Sequence, residues 1–168
     1  MQNAGYYADD IGTLIMGHHL EASGKVSMIR AVVDSAVLIG WFNSDTHIGA
    51  PPVNFIGVII EGPSPVGHYF RPIYADSEGA YKISEQGSII RPNAGRHDWT
   101  FEYNPDANSG KGNIIVTFDD QIVFLPLKSD VKLASAVFNR FGLLSFQREG
   151  HYLDICFDNL TYTAKKAL

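Results

Sequence analysis

Two carboxylates in this 168-residue chain, Asp98 and Glu102, stand where they could share a reaction. The stretch His97-Asp98-Trp99-Thr100-Phe101-Glu102-Tyr103 alternates polar and aromatic residues with the period of a strand. Asp98, Thr100 and Glu102 therefore fall on one face, and Trp99, Phe101 and Tyr103 on the other. A pair of acids flanking a glycosidic bond is the machinery of sugar hydrolysis when the carboxyls lie about 5–9.5 Å apart. Four residues along a strand separate Cα atoms by about 13 Å, so the side chains would have to lean together; as a solvated polar face they need no such arrangement.

A second set of residues could hold a sugar rather than cut one. Trp41 and Asn43 share strand parity, Asn54 opens the neighbouring apolar run, and His68, Arg71 and Arg140 place donors within apolar stretches. Sugars are bound by C–H groups against aromatic rings and by amide, guanidinium and carboxylate groups on adjacent hydroxyls. Tyr69, Tyr74 and Tyr81, near turns, could form a rim. The same inventory also serves structural ends: Trp41 and Trp99 are of the type that fills a core, and Arg71 can pair with an acid across strands.

Metal and nucleophile chemistry find less support. Of six histidines, His18 and His19 are adjacent and would face opposite sides of a strand, while His47, His68, His97 and His151 stand alone with no ligand spacing. Asp106, Asn108 and Ser109 offer hard oxygen atoms at a Gly-rich loop, but the downstream acid of a calcium loop is missing and an Asx turn explains the loop equally well. The one cysteine, Cys156, lies in an apolar strand-like run and reads as a small buried hydrophobe. A Gly-rich phosphate loop and a Gly-x-Ser-x-Gly elbow are absent, which leaves nucleotide-binding and α/β-hydrolase readings without a foothold.

The elements that must position these residues are strands. Charged residues are only 18% of the chain, aromatics 12%, and there are 16 Gly and 8 Pro, a profile of strands and turns. Apolar runs rich in β-branched and aromatic residues predict strands over 25–33, 36–42, 53–61, 67–74, 80–83, 97–103, 113–118, 121–127, 141–147 and 152–163. Turn formers such as Gly62-Pro63-Ser64-Pro65 and Asp76-Ser77-Glu78-Gly79 separate them, and Asp119-Asp120 makes a hairpin of 113–127. Ser129 and the spacing of Val131, Leu133, Ala134 and Val137 predict a short helix over 128–137. About ten short strands without a βαβ rhythm predict an all-β fold of one domain over 1–168, two antiparallel sheets packed face to face as a jelly-roll sandwich.

The second half resembles the concanavalin A-like lectin/glucanase superfamily, which includes legume-type lectins, laminin G-like modules and several glycosidases. The Trp-bearing strand from His97 to Tyr103 carries the likeness. So do the hairpin strand Gly112-Asn113-Ile114-Ile115-Val116-Thr117-Phe118-Asp119-Asp120-Gln121 and the closing Phe157-Asp158-Asn159-Leu160-Thr161-Tyr162. The resemblance implies a concanavalin-like jelly roll and, as function, noncatalytic binding of a poly- or oligosaccharide, with glycan cleavage or protein interaction as alternatives. Laminarinase-type members carry Glu-x-Asp-x-Glu on one strand; here Asp98, Thr100 and Glu102 depart from it, and the strand sets of the polysaccharide lyases are missing. In several sugar-binding jelly rolls a structural calcium ties the first and last strands, a role that would fall to Asp9, Asp10 and Asp158; no other cofactor is expected. Thirteen Lys plus Arg against 18 Asp plus Glu, a net charge of −5 without a basic block, argue against nucleic acid, and no apolar run approaches the roughly 20 residues of a membrane span. Residues 1–5 lack the basic and apolar segments of a secretory signal. Either the protein stays inside the cell or it is an excised module, and an extracellular module of a bacterial protein is the expectation. Asn159-Leu160-Thr161 is a glycosylation sequon that its apolar neighbours would bury.

Overall fold

The computed structural model describes residues 6–46, 53–64, 66–129, 135–145 and 153–166. Twelve strands, all paired antiparallel, form two sheets. One sheet holds β1 (Tyr6–Ile15), β11 (Val137–Ser145), β3 (Ser35–Phe42), β4 (Phe55–Ser64), β5 (Gly67–Ala75) and β6 (Tyr81–Ile83) in that order, with β7 (Ser88–Ile90) also on β5. The other runs β10 (Gln121–Pro126), β9 (Asn113–Phe118), β8 (His97–Asn104), β2 (His18–Ala31), β12 (Leu153–Lys166). This is the antiparallel jelly-roll sandwich that the strand rhythm predicts.

Between the sheets lies the main core. Trp99, Phe101 and Tyr103 of β8 point inward as their alternation requires. Trp41 packs against Phe101 and Phe141, with ring centroids 5.4 and 4.7 Å away, and Phe70 bridges Trp99 and Phe118. The buried Tyr103 hydroxyl donates to the Met16 carbonyl at 2.8 Å, tying β8 to the β1–β2 turn. Burial, and then the charge of Asp106, push the Tyr103 phenol up to about 12.

The seven-stranded sheet is apolar on its outer face as well. Gly142, Gly40 and Gly57 stand side by side on β11, β3 and β4. A Cβ on Gly40 would lie 2.3 Å from the Ile56 carbonyl oxygen, and one on Gly57 2.1 Å from that of Ile39. Only glycine permits this approach. Leu38, Ile59 and Leu144 on one side of the glycine row and Phe42, Phe55 and Ala75 on the other form a second buried cluster with Ile73. Tyr6 and Phe42, in rows on either side of the glycines, meet edge-on at 5.5 Å.

Several expectations are corrected. Residues 6–15 and 18–24, ahead of the first expected strand, form β1 and the start of β2. Val137 opens β11, four residues before the expected strand start, and residues 130–134 of the expected helix, with His47 and His151, lie outside the described residues. Cys156 is exposed, not buried, because β12 is an edge strand whose alternate positions face solvent. Asn159 is exposed for a further reason: it sits at φ 52° in a bulge that breaks the β12–β2 register between Asp158 and Thr161. Ala107–Gly110 is a single turn in which Asn108 and Ser109 take left-handed angles. The Asn104 side chain accepts from Asp106 N–H, the Asx turn expected there.

Candidate functional site

The outer face of the five-stranded sheet is where Asp98 and Glu102 emerge. Cross-strand pairing sets Thr117, Thr100, Ser23 and Thr161 in one row across β9, β8, β2 and β12. Asp98 pairs with Lys25 Nζ at 2.6 Å, and Glu102 accepts from or pairs with His19 Nε2 at 3.1 Å. The two acids are thus engaged by separate partners on a face that solvates them, rather than converging on one point. The acid opposite Glu102 is Glu21, which is 3.8 Å from the same His19 nitrogen. Like charges in register repel. His19 between them eases that repulsion.

The residues expected to hold a sugar are each buried or engaged within the protein. Trp41 is 1% exposed, its ring spent on the core, so it cannot serve as a platform. Asn43 closes a turn by accepting from Asp45 N–H at 2.9 Å. Asn54 is buried with φ 50°, its backbone N–H donating to Asp76 O. His68 is also buried: Ser35 Oγ donates its single proton to Val32 O at 2.7 Å, so His68 Nε2 is the donor to Ser35 at 2.8 Å. Arg71 pairs with Glu61 at 2.6 Å and lies over the Tyr69 ring. Arg140 pairs with Asp10 at 2.9 Å.

The expected calcium ligands do not gather. Asp9 accepts from the Tyr162 hydroxyl at 2.7 Å, Asp10 holds Arg140, and Asp158 holds Arg96 and caps Asn159 N–H. Each carboxylate already has its donor. Among the described residues no three His, Cys, Asp or Glu side chains stand where they could share a metal ion.

What the fold does assemble is a cleft of about 490 Å³ at the margin of the two sheets. Gly87, Ile89 and Arg91 line it from β7 and the residues on either side of it; His97, Phe118, Asp119, Asp120 and Gln121 line it from β8 and the β9–β10 hairpin. Asp119 takes the first place of the two-residue turn at φ 50°, a conformation Asp tolerates better than most side chains. That turn aims its carboxylate back at β8. Asp119 Oδ2 bonds His97 Nδ1 at 2.7 Å, and Oδ1 accepts from Asp98 N–H at 3.0 Å. The His97 ring stacks on Phe118, centroids 4.6 Å apart. Burial by itself would raise the Asp119 carboxyl; the hydrogen bonds from His97 and the Asp98 backbone, with the charges of His97 and Lys25, outweigh it and hold the group below the usual carboxylate range. Asp119 is an anion at neutral pH.

Around this fixed pair, Arg91, Asp120 and Gln121 are exposed, and their side chains make no hydrogen bond or ion pair in the described structure. Ile89, half exposed, adds an apolar surface. A guanidinium, a carboxylate and an amide with free hydrogen-bonding capacity beside an apolar patch can grip a polyol: carboxylate oxygens accept from hydroxyls while guanidinium and amide N–H groups donate. Residue types alone do not reveal this group. His97 looks isolated in sequence and Asp119-Asp120 reads as a turn. Only the antiparallel register Trp99↔Phe118 places Asp119 against His97, and it was the one available signal.

No family model matches the sequence, and no curated protein matches it. Solved structures do match the fold. The lectin UEA-II in complex with galactose aligns with a TM-score of 0.56 at 8% identity over 96% of this chain and 81% of its own. A polysaccharide lyase of family 18 aligns at 0.55 and 11% identity over 90% and 74%. The GH131 β-glucanase catalytic domain from Podospora anserina aligns at 0.52 and 13% over 96% and 65%. The protein has the antiparallel jelly-roll β-sandwich fold of these structures, one found both in a lectin and in glycan-cleaving enzymes.

Proposed function

We propose that the protein is a carbohydrate-binding, lectin-like module that holds a poly- or oligosaccharide without cleaving it, in the cleft between β7 and the β9–β10 hairpin. One observation carries this reading: exposed Arg91, Asp120 and Gln121 line the cleft together, beside exposed Ile89. A small number of polar groups set beside apolar surface in a concave site is what orients a bound ligand. Kinship of fold to a galactose-binding lectin and to glycan-cleaving enzymes agrees with it. The test is affinity electrophoresis through a panel of polysaccharides, run beside a reducing-end assay. Retardation without new reducing ends, abolished in Arg91→Ala with Gln121→Ala while the melting temperature is unchanged, is the expected result. Unretarded migration in every polysaccharide would overturn the proposal.

A second reading, cleavage of a bound glycan, is favoured by one feature. Glu21 and Glu102 face each other on adjacent strands, which sets Cβ atoms about 4.5–5.5 Å apart, with His19 hydrogen-bonded to Glu102. New reducing ends that vanish in Glu102→Gln would establish it.

A further inference from the structure

The charges of the cleft bear on which sugars it could take. Asp119 is committed: its two oxygens are occupied by His97 and by the Asp98 N–H. The groups left free are one cation, Arg91, one anion, Asp120, and one neutral amide, Gln121. A hydroxyl can both donate and accept, so a diol satisfies Asp120 and Arg91 together. A uronate carboxylate, which only accepts, would gain Arg91 but face Asp120 unsatisfied and the anionic Asp119 behind it. An ammonium group would gain Asp120 and meet Arg91. The net charge of −5 on the chain adds a long-range term against any polyanion.

We infer that this cleft selects uncharged hexose or pentose chains with adjacent free hydroxyls and rejects polyuronates, an inference that rests on the binding function proposed above and names its ligand class. Recognition then depends on hydrogen bonds between neutral and charged partners rather than on ion pairing, so it is insensitive to salt. Ile89 is the exposed apolar surface, while Phe118 is buried beneath the stacked His97 ring, so stacking contributes little and the affinity is modest.

The experiment is isothermal titration calorimetry of the full chain with three sets of hexasaccharides: neutral gluco- and manno-oligosaccharides, oligouronates, and deacetylated amino-sugar oligomers, each in low and high salt. The expected result is that a neutral oligosaccharide binds at least about tenfold more tightly than either charged set, a gap of about 1.4 kcal/mol, with affinity unchanged by salt. Asp120→Asn, at an exposed turn, should narrow that gap by admitting the uronates, and Asp120→Lys should close or reverse it, with melting temperatures unchanged. Oligouronates or amino-sugar oligomers binding as tightly as the neutral set would overturn the selectivity and leave the binding function standing. Silence from all three sets would remove the binding function, and the selectivity with it.

Discussion

On the outside of the seven-stranded sheet, Leu38, Phe42, Phe55, Ile59 and Leu144 bury one another across a line of glycines, whereas on the outside of the five-stranded sheet the central row is Ser23, Thr100, Thr117 and Thr161. Both surfaces belong to strands of similar length in one sandwich. The first buries its side chains in a second core; on the second, Lys25 pairs with Asp98 and His19 hydrogen-bonds Glu102. The exposed Arg91, Asp120 and Gln121 occur instead at the margin where β7 meets the β9–β10 hairpin.

The largest expected contrast between these faces comes from the second core. Phe55→Ala, which empties a fully buried site there, should cost about 3–5 kcal/mol in denaturant unfolding. Gly57→Ala should cost about 1–3 kcal/mol, because its Cβ meets backbone that cannot rotate away. Thr100→Ala, exposed in the central row of the open face, should stay within about 0.5 kcal/mol. A Phe55→Ala protein as stable as Thr100→Ala would break the distinction.

Alkaline titration separates interior from rim on a smaller scale. Tyr103 and Tyr162 are both pushed up to about 12, each first by burial, then by Asp106 and by the hydrogen bond to Asp9 respectively. The folded state thus holds these protons more tightly than the unfolded chain, whose tyrosines ionise near 10. The stability they contribute is complete below pH 10 and is lost as pH rises through about 12. Tyrosinate absorbance should accordingly show a late-ionising class that joins the rest on unfolding.

The smallest effect belongs to the cleft. Asp119, lowered from 3.8, contributes stability that is present at neutral pH and lost as pH falls through its folded value. The melting-temperature gap between the wild type and Asp119→Asn should therefore be small at pH 7 and shrink on acidification below about 4. A gap that widens in acid would contradict the His97 pairing.

Much of the fold was legible before any coordinates. The alternation of β8 announced one buried and one wet face, and the hairpin around Asp119-Asp120 lies where the turn residues placed it. The continuous apolar runs Val37-Leu38-Ile39-Gly40-Trp41-Phe42 and Phe55-Ile56-Gly57-Val58-Ile59-Ile60 carried a further message that strand counting passed over: with no polar parity, both faces of β3 and β4 must be buried. The candidate site was far less legible. Trp41, His68 and Arg71 have side chains suited to sugars, but their parity and neighbours decide whether those side chains meet solvent, a serine or a glutamate.

The sequence by itself determined the class of fold, the two-sided burial of the central strands and the position of the turns, because periodicity, β-branched content and turn chemistry act over a few residues. Only the tertiary structure decided that three glycines would align in one row, that Asp9, Asp10 and Asp158 would each find a separate partner, and that Asp119 would close on His97 beside Arg91. Those outcomes depend on register between strands distant in sequence, and a shift of one residue would turn every one of these side chains to the opposite face.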